Sequence, residues 1–172
     1  MDGEQSDEVL VTRVARGDAR ALETLCRRWE RPLYAFLGRQ TGGRDVDDLF
    51  QDTWLRVVRS AHRFDPARRF STWLFQIAVN RCRDWRRRPP PDPVDPADHA
   101  GAAAPASTSD ARLDVERLLA ALPEGQRSAV ILRYWHDCDE EEVGRILRIP
   151  RGTVKSRLHH AMRRLIALAR GR

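Results

Sequence analysis

The chain has 172 residues, enough for one medium-sized domain or two small ones, and carries 31 Lys and Arg against 25 Asp and Glu. Nearly all of the positive charge is arginine, whose planar guanidinium binds phosphate through two parallel hydrogen bonds. This composition favours a polyanionic partner, although a solubilising basic surface fits it equally well. No apolar run approaches the ~20 residues of a membrane span, and the acidic residues after Met1 argue against a signal peptide, so the chain is predicted to be cytoplasmic, without membrane insertion.

The three cysteines, Cys26, Cys82 and Cys138, are widely spaced and form no Cys-x-x-Cys pair. A zinc site or a redox dithiol would require closer pairing. The sequence therefore predicts small buried side chains in a reducing compartment, with no metal and no cofactor.

Residues 89–110 divide the chain into two parts. This stretch is rich in Pro and Ala, has no Lys, Arg or aromatic residue, and contains four Asp. It cannot bury enough apolar surface to offset the entropy of ordering it, so it is predicted to be a flexible acidic linker. The flanking segments, 1–88 and 111–172, are each net positive and are predicted to be two small helical domains of an all-α protein.

The first segment shows helical periodicity throughout. Apolar residues recur at three- and four-residue steps from Leu22 to Leu37, with Pro32 expected to kink that helix or to mark a joint in it. A second apolar stripe runs from Leu49 to Val57. The aspartates that precede it are favourably placed at the positive end of a helix dipole. A third stripe begins near Trp73, with Ser71 or Thr72 as the predicted N-cap.

Residues 139–166 predict a helix-turn-helix. Val143, Ile146 and Leu147 give a first helix its buried face, and Ile149-Pro150 supplies the turn. The following helix has an apolar inner stripe, while its other positions are hydrogen-bond donors or polar groups. From residue 145 to the end there are nine basic residues and no acidic one. This pattern is typical of a helix that reads base edges in the major groove between flanking phosphate contacts, although a solvated basic helix of a bundle would also produce it.

At this level of detail the sequence resembles a known family. The run Ile149-Pro150-Arg151-Gly152-Thr153-Val154-Lys155-Ser156-Arg157-Leu158, preceded by Leu122-Pro123-Glu124-Gly125-Gln126-Arg127, is similar to region 4 of the extracytoplasmic-function (ECF) sigma factors, a branch of the sigma-70 family. The first segment is similar to their region 2, through Asp48-Leu49-Phe50-Gln51-Asp52-Thr53, Phe64-Asp65-Pro66 and Phe70-Ser71-Thr72-Trp73-Leu74. One departure is Arg148, which stands where the family usually has a turn glycine.

The resemblance implies a promoter-recognition subunit with no enzymatic activity of its own. Its partners would be core RNA polymerase, through the clamp helices of the largest subunit and the flap of the beta subunit, promoter DNA, and an anti-sigma factor. The clamp helices would be bound by Asp48, Leu49, Gln51, Asp52 and Trp54. The minus-10 element would be melted and read by Phe64, Arg69, Phe70, Trp73, Asn80, Arg81, Arg83 and Arg87. The minus-35 element would be read by Arg133, Arg151, Thr153, Lys155, Ser156, Arg157, His159 and His160.

Three other functions are weighed against this hypothesis. A stand-alone regulator with a LuxR-type helix-turn-helix would need a sensor domain, and the first segment has no glycine-rich loop or strand-helix alternation. A metal-dependent nuclease could use the Asp47, Asp48 and Asp52 group or the His136, Cys138, His159 and His160 group, but adjacent histidines on a helix point to different faces. An adaptor that never contacts DNA is the third alternative.

Overall fold

The computed structural model describes residues 5–87 and 110–170, with side chains from residue 114 onwards in the second stretch. Both stretches are helical and contain no strand, which confirms the predicted all-α class. The predicted linker lies almost wholly outside the described residues. The helices are α1 (Asp7–Val14), α2 (Ala19–Thr41), α3 (Val46–Ser60), α4 (Phe70–Arg87), α5 (Asp110–Ala120), α6 (Glu124–Trp135), α7 (Glu140–Leu147) and α8 (Arg151–Arg170), with a 3-10 turn at Ala61–Arg63.

Helices α1 to α4 form the first bundle, and polar side chains cap the N-termini of α1, α2 and α4. Asp18 caps α2 by accepting hydrogen bonds from the backbone N–H groups of Arg20 and Ala21. Helix α2 continues through Pro32 for 23 residues. Helix α4 begins at Phe70, so the predicted N-cap at Ser71 or Thr72 is wrong.

The N-terminus of α4 is capped instead from another helix. The Glu8 carboxylate on α1 accepts a hydrogen bond of 3.0 Å from the backbone N–H of Phe70, and this bond lowers the pKa of Glu8. A negative charge at this position also interacts favourably with the positive end of the α4 dipole. The cap therefore depends on the packing of α1 against α4, which no local sequence pattern encodes.

Helices α5 to α8 form the second bundle. Arg127 on α6 donates hydrogen bonds to the carbonyl oxygens of Leu119, Ala120 and Leu122, at and just after the end of α5. Asp139 and Glu142 form a reciprocal capping box at the start of α7. These contacts fix the short connections that position the helix-turn-helix.

The two bundles pack directly against each other. The ring of His136, just after α6, lies 5.7 Å from Phe36 on α2 and 4.7 Å from Phe75 on α4. The buried side chains of Gln40 on α2 and Ser128 on α6 are also joined by a hydrogen bond of 2.9 Å. The core is therefore continuous from the first bundle into the second.

His136 should make the stability of this arrangement dependent on pH. Burial, and secondarily the Arg39 guanidinium, lower the pKa of His136 from 6.5 to about 4. Between these values the unfolded chain binds a proton that the folded chain does not, so the free energy of unfolding should fall as the pH falls. We expect a loss on the order of 2 kcal/mol between pH 7 and pH 5, measured by urea denaturation.

The control for this pH dependence is His136→Phe, which keeps an aromatic ring beside Phe36 and removes the titrating group. The pKa values of Asp18 and Asp139 are lowered in the folded chain, so the stabilisation that these carboxylates contribute is lost only as they become protonated. This happens at lower pH than the loss of stability caused by His136. The variant should therefore have nearly constant stability between pH 7 and pH 5. The same slope in both proteins would show that another group is responsible.

Candidate nucleic-acid interface

Helix α8 presents its predicted DNA-reading side chains to solvent. Val154, Leu158 and Ala161 face inwards against the second bundle. On the other side, the Arg151 and Lys155 side chains are 66% and 61% exposed. Ser156, His159, His160 and Arg133 are also exposed. The fold therefore brings six of the eight predicted minus-35 residues onto the outer surface of one module.

The turn between α7 and α8 depends on a close backbone approach. A Cβ atom on Gly144 would lie 2.9 Å from the carbonyl oxygen of Ile149, which is closer than two such atoms normally come. The backbone N–H of Ile149 also donates a hydrogen bond of 3.0 Å to the carbonyl oxygen of Gly144. Arg148 adopts a left-handed conformation, with φ of 56°, at the position where the family usually has glycine. Gly144 therefore sets the distance between the two helices.

A carboxylate lies among the cations at the start of α8. Glu140 accepts a hydrogen bond of 3.0 Å from Nε of Arg151 and lies 3.9 Å from Nζ of Lys155. Arg133 lines the same surface groove. Because the Arg151 and Lys155 side chains are largely exposed, the ion pairs are weak and a DNA phosphate can replace the carboxylate.

Two of the predicted minus-35 residues are only partly accessible. Arg157 is half-buried and its guanidinium crosses the start of α6, so that a Cβ atom on Gly125 would lie 2.7 Å from Nη1. Thr153 is also half-buried. The glycine at position 125 therefore makes room for Arg157, which packs between α8 and α6.

The predicted minus-10 aromatic residues do not form an open platform. Phe70 is fully buried and Phe64 nearly so. Their rings are 6.2 Å apart, and Trp73, which is half-buried, packs at 5.1 Å from Phe64. Phe64 and Phe70 belong to the core and support the loop at residues 64–69, whereas part of Trp73 is accessible to a base.

The predicted minus-10 polar residues lie on α4 or just before it, and two of them contact the second bundle. Arg83 donates to Glu124 at 3.2 Å and approaches the Asn80 amide oxygen at 3.5 Å. Arg69, in the loop before α4, donates to Glu142 of α7. Arg81 instead pairs with Asp84 on its own helix, and Arg87 is exposed.

An arginine-rich groove beside this loop was not predicted from the sequence. It lies between α1 and residues 66–69, and Arg13, Arg16, Arg68 and Arg69 all line it. Arg13 is paired with Asp18 at 2.7 Å. No local pattern in the sequence places α1 next to this loop.

The predicted polymerase-binding residues on α3 fall on two sides of that helix. Asp48 and Gln51 are exposed and Asp52 is half-buried. Leu49 and Trp54 lie in the core and offer no surface to a partner. The exposed side of α3 carries Leu55, which is 52% exposed, and Val58, and neither residue was predicted.

The metal-dependent nuclease is the alternative that the described residues test directly. Within residues 5–87 and 110–170, no three His, Cys, Asp or Glu side chains are grouped so that they could hold a metal ion. Burial raises the pKa of the Cys82 and Cys138 thiols to about 12, so neither is a ready nucleophile. Over the same ranges, no helix is long and apolar enough to cross a bilayer.

Comparison with protein families gives two matches. Sigma-70 region 2 matches residues 25–89, and Sigma-70, region 4 matches residues 112–165. Proteins named ECF RNA polymerase sigma-E factor, from Salmonella typhimurium and Escherichia coli K12, are 32% identical to the chain over 94% of its length and 93% of theirs. The protein of that name from Haemophilus influenzae is 28% identical, over 91% of each chain.

Two solved structures match both bundles together. CnrH in complex with the cytosolic domain of CnrY is 28% identical, with a TM-score of 0.74 over 97% of this chain and 99% of that chain. The sigma factor RpoE of Bartonella quintana, in complex with the anti-sigma factor NepR, is 25% identical, with a TM-score of 0.71 over 86% and 96%. With both regions matched in order and full-length relatives above 30% identity, the chain belongs to the ECF sigma factors of the sigma-70 family.

Proposed function

We propose that this chain binds core RNA polymerase in the cytoplasm and directs transcription initiation at promoters whose minus-10 and minus-35 elements it reads. The observation that carries this proposal is the outward-facing cationic side of α8, in a helix-turn-helix attached to a bundle of the sigma region 2 type. Family membership supports the class of function. The exposed side chains support the assignment of residues.

In this proposal α8 lies in the major groove at the minus-35 element. Lys155, Ser156, His159 and His160 reach base edges, while Arg133 and Arg151 bind flanking phosphates. Arg157 and Thr153 act differently, because both are half-buried. Arg157 holds the start of α6 against α8 and so positions the reading side chains.

The minus-10 element is assigned to the loop at residues 64–69 and to α4. Asn80 can hydrogen-bond an unstacked base, and Trp73 offers part of a ring face for stacking. Arg69, Arg83 and Arg87 neutralise backbone phosphates. Phe64 and Phe70 contribute indirectly, because their buried rings support this loop from the core side.

Polymerase binding is assigned to the exposed side of α3. Asp48, Gln51 and Asp52 provide polar contacts to the clamp helices of the largest subunit, and Leu55 adds apolar area. The second bundle would contact the beta-subunit flap. Because the matched CnrH and RpoE structures are complexes with CnrY and the anti-sigma factor NepR, we also propose an anti-sigma partner for this chain.

The class of function is tested by run-off transcription with core polymerase and genomic DNA, which also identifies the promoters. Lys155→Ala should then weaken binding to a duplex carrying the identified minus-35 element by about tenfold, and it should flatten the salt dependence of binding because one positive charge leaves the interface. Fluorescence anisotropy at several salt concentrations measures both.

The matched control is Arg164→Ala, which removes the same charge from the opposite side of α8. It should leave the affinity within about twofold of the wild type. Equal losses in the two variants would show that α8 attracts DNA only through its net charge and does not read it with the assigned face.

A further inference from the structure

Four acidic residues lie at the start of α7, and one of them is ion-paired with the reading helix α8. Asp139 and Glu142 form the capping box with each other. Glu141 is paired within α7, and its side chain is 71% exposed. The Glu140 side chain is only 27% exposed and is paired with Arg151 of α8. The α7–α8 turn therefore holds the Glu140 carboxylate against the helix that is proposed to read DNA.

The contact between Glu140 and Arg151 fixes the direction of a rigid group. The carboxylate accepts a hydrogen bond of 3.0 Å from Nε of Arg151. A guanidinium is planar, so a hydrogen bond at Nε sets the plane in which both terminal Nη groups lie. The Arg151 side chain is 66% exposed, and its Nη groups have no hydrogen-bond partner among the described residues. Arg151 is therefore oriented by Glu140 while its two terminal donors remain available to DNA.

The same carboxylate disfavours a misplaced contact with DNA. Phosphates attract exposed cations wherever the helix meets a duplex, because this attraction does not depend on base sequence. A phosphate that takes Nε of Arg151 from Glu140 leaves an unpaired carboxylate beside another negative charge. Lys155, whose Nζ lies 3.9 Å from the same carboxylate oxygen, is subject to the same competition. A docked position in which Arg151 uses only its Nη groups keeps the ion pair and avoids this repulsion.

We infer that Glu140 is a specificity-determining residue for minus-35 recognition, which acts on DNA by positioning Arg151. It favours the docking register in which the Nη groups of Arg151 bind DNA while Nε stays on the carboxylate, and it disfavours registers that break this pair. The inference rests on the proposed function for the identity of the duplex. It predicts that Glu140 weakens binding to unrelated DNA more than binding to the promoter, so the ratio of the two affinities is the quantity to measure.

The test uses the full chain carrying Glu140→Ala. Two fluorescein-labelled duplexes of equal length and base composition are compared by anisotropy, one with the minus-35 element identified by run-off transcription and one with a scrambled sequence. We expect the variant to bind the scrambled duplex about threefold tighter than the wild type does, and the promoter duplex no tighter. The ratio of the two affinities should therefore fall by at least about threefold.

The matched control is Glu141→Ala, which removes the same charge from the next position in the first turn of α7. Because Glu141 is paired within α7, its removal should change both affinities by the same factor and leave their ratio within about twofold of the wild-type ratio. The two variants also lose the same interaction with the α7 dipole, so their thermal unfolding temperatures should agree closely. A fall in the ratio that occurs only in Glu140→Ala then depends on the position of the carboxylate.

A second background tests whether Glu140 acts through Arg151. In a chain that carries Arg151→Ala, Glu140→Ala should change the ratio by less than about twofold, because the group that it positions is absent. A ratio that Glu140→Ala leaves unchanged in the wild-type background would overturn the inference, as would an equal fall in both backgrounds. A wild-type chain that binds both duplexes equally would overturn the minus-35 assignment of the proposed function as well, so the two failures are distinguished by the wild-type measurement.

Discussion

Replacing Phe36 by alanine is expected to lower the free energy of unfolding by about 3–5 kcal/mol. The side chain is fully buried on α2 and packs at 5.2 Å from Phe75 on α4. It also contacts His136 of the second bundle at 5.7 Å, so the cavity would open where the two bundles meet. Urea denaturation followed by tryptophan fluorescence and by far-ultraviolet circular dichroism measures the loss.

The control for Phe36 is Phe50→Ala. Phe50 is half-buried on α3 and stacks on Tyr34 at 4.3 Å, away from the second bundle. Its removal should cost less, about 1–2 kcal/mol, because less apolar area leaves the core. If Phe36→Ala costs no more than Phe50→Ala, Phe36 does not have the central packing described here.

Gly144→Ala is expected to destabilise the protein by about 1–3 kcal/mol and to impair minus-35 binding. The added methyl group would meet the backbone carbonyl oxygen of Ile149 at 2.9 Å, and a backbone atom in a tight turn cannot move aside as a side-chain end can. Helices α7 and α8 would have to separate, which would tilt the reading face of α8. Thermal unfolding measures the first effect, and anisotropy with the duplex identified by run-off transcription measures the second.

Gly152→Ala provides the matched stability control for Gly144. A Cβ atom at Gly152 would have nothing within 4 Å outside its local helix, and alanine is the better helix former. This variant should be as stable as the wild type or up to about 1 kcal/mol more stable. If both glycine variants unfold at the wild-type temperature, Gly144 and the carbonyl group of Ile149 do not approach each other as closely as the geometry of the α7–α8 turn indicates.

The positions of the polar contacts between the bundles explain why part of the site could not be predicted. Gln40 and Ser128 are 88 residues apart, and the Arg69 and Glu142 contact spans 73 residues. Gln, Ser, Arg and Glu are residue types that usually lie exposed, so their local sequence does not predict a buried partner. Only the packing of one bundle on the other decides that they meet.

The aromatic residues of the first bundle show the same limit. A phenylalanine in a loop that resembles a DNA-melting segment can either stack on a base or fill the core, and its local sequence is the same in both cases. The structure places Phe64 and Phe70 in the core because α1, α2 and α4 converge beneath the loop, where Trp29 packs on Phe70 at 5.9 Å. Asn80, with a polar side chain on the partly covered face of α4, stays a candidate for base contact.

The sequence by itself determined the all-α class, the helix-turn-helix and the cationic outer side of its last helix. These follow from apolar spacing and helix-ending residues such as Pro123, which act over a few residues. Tertiary structure alone decided that Glu8 caps α4, that Arg157 lies across Gly125, and that carboxylates of one bundle occupy arginines of the other. Such contacts join residues far apart in the chain, so their existence depends on how amphipathic helices pack, which helical periodicity does not specify.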